Sequence, residues 1–171
     1  MRNAVWVGLA WFGTVVCTAF ASELSVAHVL PEIVVIVAVF LAFEREGPAL
    51  VASCLAMGYL VGRAAGAPLG LHELALASTA LGLQLVIGSI TTGGGRGFFT
   101  LSVGVATMAY HAIAFLLLLF FRGTASFPTW TSAILFPSAV LTAAIALLAH
   151  PLMEKIERRL SPQQRESLSF R

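Results

Sequence analysis

The chain has 171 residues, of which 58% are apolar and only 11% charged, and its net charge is +2. A soluble domain carries about 25% charged residues, so most of this surface is not built to face water. The small charge excludes nucleic acid as an argued partner. The basic residues gather towards the C-terminus, where anionic lipid is the nearer partner.

The length suits one domain. All eight acidic residues are glutamates, and there is no aspartate. Cys17 and Cys54 both sit in apolar runs. They read as small apolar helix residues, not as a disulfide framework or a zinc site.

A membrane helix needs about 20 mostly apolar residues. Six segments meet that need, which predicts an all-α integral membrane protein, a six-transmembrane-helix bundle over residues 1–153. The first span is 4–21. It ends on Ala19-Phe20-Ala21 before Ser22, the form of a signal-peptide cleavage site. More spans follow, so a retained anchor is the expectation. The second span, 29–43, is closed by Glu44-Arg45-Glu46-Gly47-Pro48, three charges and two helix breakers. The third is 49–65, and Gly66-Ala67-Pro68 makes the next turn. The fourth is 69–91, followed by the glycine-rich connection Gly93-Gly94-Gly95-Arg96-Gly97. The fifth is 98–121 and the sixth 129–153. Residues 154–171 form a charged tail, whose Lys155, Arg158 and Arg159 extend the last helix into the headgroup region.

Lys and Arg fix the orientation. With six spans, Arg2, Arg45, Arg96, Lys155, Arg158, Arg159, Arg165 and Arg171 share one side, and only Arg63 and Arg122 lie on the other. That bias puts both termini in the cytoplasm. Trp6 and Trp130 suit an interfacial belt, whereas Trp11 lies deeper and packs.

Gly58, Gly62, Gly66 and Gly70 recur every four residues. On a helix such residues leave a ridge against which another backbone can approach closely. The occupant is either a partner helix or a helix of the same chain. Pro68 interrupts the ridge, so Gly58 and Gly62 are its reliable pair, and Gly66 suits a C-terminal cap.

Ionisable residues in spans are costly and face protein or a water-filled cavity. His111 lies deepest, beside Tyr110, and reads as a neutral imidazole bonded to a neighbouring helix. Arg63 and Glu73 flank the third turn and could pair across it, or shape an outward pocket with Glu32. No catalytic set, metal-ligand spacing or phosphate loop assembles from these residues. A membrane enzyme is therefore not expected, and no cofactor is implied.

Together these features resemble a family. Pro31-Glu32 opening the run Ile33-Val34-Val35-Ile36-Val37 is similar to the Pro-acidic start of the second span in rod shape-determining MreD proteins. Gly58-x-x-x-Gly62-x-x-x-Gly66-x-Pro68-Leu69-Gly70 resembles that family's Gly-x-x-x-Asp-x-x-x-Gly-x-x-Leu-Gly stretch. Leu147-Leu148-Ala149-His150-Pro151 and the basic helix after it resemble the family's closing span. The chain departs from the pattern at Gly62, where many members carry Asp.

The resemblance implies a bundle like the substrate-binding components of energy-coupling-factor transporters. It implies a multi-pass protein of the bacterial inner membrane, a non-catalytic scaffold of peptidoglycan elongation. Its partners would be MreC and, with it, MreB filaments, RodA and a class B penicillin-binding protein. The alternative is a solute-binding subunit of a transporter, which needs an outward pocket with polar and aromatic walls.

Overall fold

The computed structural model describes residues 2–24, 32–44, 47–65, 67–89, 95–122 and 135–160. Among them, every regular element is a helix: α1 (Arg2–Leu24), α2 (Ile33–Glu44), α3 (Pro48–Ala65), α4 (Leu71–Ser89), α5 (Arg96–Arg122) and α6 (Phe136–Leu160). Four of them, α3 to α6, are long and apolar enough to cross a membrane. The chain is thus multi-pass by length and composition. Trp130, Gly93 and Gly94 of the glycine-rich connection, Gly66 and the tail 161–171 lie outside the described residues.

The 12-residue α2 is about 18 Å long, short of a hydrocarbon core of about 30 Å. It is the axis of the bundle. Nine consecutive residues, 34–42, are buried, and α2 touches all five other helices. A helix apolar on every side belongs in such a place. Around it the chain runs α1, α3, α4, α5, α6, each packed on the next. The outer helices expose large side chains instead, among them Phe12, Leu85, Leu101, Phe120 and Leu148. In water these would be a liability; against lipid they are the solvated surface.

Two glycines set the turns. Gly47 has φ +54° and leads into α3. Gly70 has φ +91°, and Leu71 N–H donates to Pro68 O at 3.3 Å across it. This is the position of a tight turn where only glycine is free of strain. Gly70 is therefore a turn residue, not the last step of the ridge.

Gly58 shows what the ridge packs on. A Cβ added there would sit 2.6 Å from Glu73 Cα and 2.7 Å from Glu73 N. The backbones of α3 and α4 meet at this point. At Gly62 an added Cβ would lie 3.6 Å from His72 Cδ2 and 3.8 Å from Glu73 Oε2, ordinary contact. Both glycines face α4 of the same chain, so at Gly58 no room is left for a partner helix.

The end of the bundle that carries both outer helix termini is locked by aromatic and charged side chains. Trp6 is buried; its Nε1–H donates to Glu157 Oε2 at 2.9 Å, and its ring packs on Phe40 at 4.9 Å. It is an internal anchor, contrary to the expected interfacial belt, because its N–H finds a carboxylate inside the protein. Phe99 packs on His150 at 4.6 Å, and Phe43 on Phe98 at 5.9 Å. Arg2 pairs with Glu157 at 3.4 Å. Glu44 lies at the same face; desolvation first, then Glu157, push its carboxyl above the usual range, while Arg2 pulls it back. The helix α6 runs through Pro151 to Leu160, past the expected span end at 153, and so brings Glu157 under α1.

Candidate binding pocket at the far end of the bundle

The opposite end holds a cavity of about 300 Å³. Its walls come from four outer helices and from the residue before α2. On α1, Thr14, Cys17 and Thr18 present one polar stripe at helical spacing. On α3, Val61, Ala64 and Ala65 supply an apolar wall. His72 enters from the first turn of α4, and Tyr110, His111 and Ala114 from α5. Glu32 completes the set.

The depth follows from helix geometry. His111 is fifteen residues beyond Arg96, the first residue of α5, or about 22 Å along the axis. The cavity is therefore reached just past the middle of the 27-residue α5.

Each polar group is tied to a different element. Glu32 N–H donates to Thr142 Oγ1 of α6 at 3.0 Å. Glu32 O accepts from Val35 and Ile36 N–H at 2.9 and 3.1 Å, which starts α2 and fixes where the carboxylate emerges. Its side chain keeps 26% exposure, into the cavity, and Oε1 lies 3.6 Å from His111 Nε2. The same nitrogen is 3.4 Å from Ser138 Oγ. His72 Nδ1 and the Tyr110 hydroxyl share a hydrogen bond of 2.5 Å. Beside them, Glu73 Oε2 is buried without a hydrogen-bond partner.

Ser138, His111 and Glu32 are not arranged as a catalytic triad. Both contacts converge on Nε2, whereas a triad needs the acid on the other ring nitrogen. Among the described residues, no group of three or more His, Cys, Asp or Glu is placed to hold a metal ion. Among the described residues, the lining contains one carboxylate, two imidazoles and a phenol, and no Lys or Arg. Such a site can bind a small molecule.

No family model matches this chain. Neither does a curated protein or a solved structure.

Of the ionisable residues singled out in the sequence, Glu32 and His111 line this cavity. Arg63 does not: its residue is exposed on α3, and no ion pair joins it to Glu73 among the described residues. Glu73 points between α3 and α4, next to Gly62. Sequence reasoning passed over Thr14, Cys17, Thr18, His72 and Tyr110 as site residues. The signal for the first three was present, a polar i, i+3, i+4 stripe in an apolar helix. His72 and Tyr110 lie 38 positions apart, and only the packing of α4 on α5 joins them.

A second depression, about 560 Å³ and almost wholly apolar, runs between α5 and α6. Gly104 and Ala143 meet at its floor, and Leu101, Val105, Phe136 and Val140 are exposed along its rims.

Proposed function

We propose that this chain is an MreD-like membrane scaffold of the bacterial cell-elongation complex, non-catalytic and bound to MreC. The observation that carries the reading is the order of its motifs: Pro31-Glu32 before a fully apolar helix, the glycine stretch ending on Gly70, and His150-Pro151 before a basic helix end. The helical bundle with membrane-length α3 to α6 supports it. Six spans, both termini in the cytoplasmic compartment of an inner-membrane protein, and a likeness to energy-coupling-factor substrate-binding components belong to the same proposal.

The partner face moves in this reading. Gly58 is taken up by α4, so the α5–α6 depression is the described surface with small residues on its floor and apolar rims, the form that helix association in lipid favours. Deletion in a rod-shaped host should round the cells, and MreC should co-purify with the tagged chain. Unchanged shape together with no co-purification would refute the proposal.

One observation favours a second reading, a solute-binding subunit of a transporter. It is the cavity itself, polar on one wall, apolar on another, and within the size range of small-molecule sites.

A further inference from the structure

We infer that the far-end cavity is a binding site for a small organic cation, an alkylammonium group seated on Glu32. This deepens the solute-binding reading by naming the ligand class, and the site stands on its own geometry under either reading.

Three observations carry it. The cavity is a built one. Glu32 is anchored through its backbone N–H to Thr142 and through its carbonyl to the first turn of α2, so its carboxylate is held at the wall and not free to swing out to the surface. Among the described residues of the lining, Glu32 is the one carboxylate and none is Lys or Arg, so the fixed acid-base character of the wall favours a positive guest. A carboxylate at membrane depth needs a counter-charge. The nearest group within the protein, His111, stands 3.6 Å away and also contacts Ser138. The remaining walls suit a cation's flanks, because Tyr110 and the two imidazoles offer ring faces and edges, and Val61 and Ala64 accept methyl groups. An anion would meet Glu32 with Glu73 close behind His72. A neutral solute would add no counter-charge to the carboxylate beyond His111.

Cys17 supplies the reporter. It lines the cavity and is partly exposed, whereas Cys54 is fully buried. Full-length protein in nanodiscs would be treated with a trimethylammonium-bearing and a sulfonate-bearing methanethiosulfonate of similar size. Glu32→Gln should lower the ratio of cationic to anionic labelling rates at Cys17 at least tenfold. Choline at millimolar concentration should slow labelling by neutral methyl methanethiosulfonate, and its uncharged isostere 3,3-dimethylbutan-1-ol should not. Ala64→Phe keeps the carboxylate and fills the cavity; it should abolish choline protection even if Glu32→Gln proves too unstable to purify. An unchanged rate ratio in Glu32→Gln, equal protection by the isostere, or no labelling of Cys17 by either reagent would each overturn the site. Choline protection without any change of uptake on deletion would keep the site and remove the transporter reading.

Discussion

The meeting of α3 and α4 at Gly58 can be tested by one methyl group. In Gly58→Ala the new Cβ would stand 2.6 Å from Glu73 Cα and 2.8 Å from His72 C, all backbone. Comfortable carbon contacts lie near 3.5–4.0 Å, so the two helices must separate by about 1 Å. Overpacking of this kind costs about 1–3 kcal/mol. Alanine is the better helix former and returns up to about 1 kcal/mol. The net expectation is a loss of up to about 2 kcal/mol, and about 1 at the middle of the range. Gly62→Ala is the internal control. Its Cβ meets His72 Cδ2 at 3.6 Å, so it should gain the propensity term and lose nothing, ending between no change and about 1 kcal/mol more stable. Thermal melting in detergent, followed by size-exclusion chromatography of the fluorescently tagged protein, ranks the three chains. Gly58→Ala melting at or above the parent would show that α4 does not seat on this ridge, and the assignment of Gly58 to internal packing would fall.

Gly62→Asp, the residue carried by many MreD proteins, should destabilise this chain, because an added Cβ already lies 3.8 Å from Glu73 Oε2; Glu73→Gln should rescue it, and additive melting shifts would exclude the coupling. Trp6→Phe keeps the ring but leaves Glu157 without the 2.9 Å donor, a loss of about 1–3 kcal/mol that the same melting assay would detect; no loss would mean that Arg2 alone satisfies the carboxylate. Because the Glu44 carboxyl is held above its usual range, its ionisation opposes folding as pH rises from the ordinary carboxylate range through the raised value. Glu44→Gln should then melt slightly later than the parent at pH 7, with the advantage fading as pH falls towards that ordinary range, and an advantage that grows in acid would reverse the sign of the reasoning. Leu101→Trp and Val140→Trp change exposed rims of the α5–α6 depression, so under the proposed scaffold role they should cut MreC co-purification without moving the melting midpoint; undiminished recovery of MreC would clear this groove of the role.

Composition and run length by themselves determine that the chain is helical and crosses a membrane, since apolar stretches of span length have few other homes and their backbones must bond internally. The breakers show where helices stop, as at Gly47-Pro48 and Pro68-Gly70, because φ and hydrogen-bond limits act locally. The glycine spacing announces a close approach. It does not say to what, and only the tertiary structure assigned Gly58 to α4. Residue types were equally silent on depth and facing: Trp6 read as an interfacial residue until Glu157, 151 positions away, was brought beneath it. The pocket is the clearest case. Glu32, His72 and His111 belong to separate segments, and nothing in their spacing distinguishes a shared cavity from scattered polar residues. What joins them is the axial placement of the short α2 among the outer helices, a product of packing between distant segments and therefore not encoded in any local pattern.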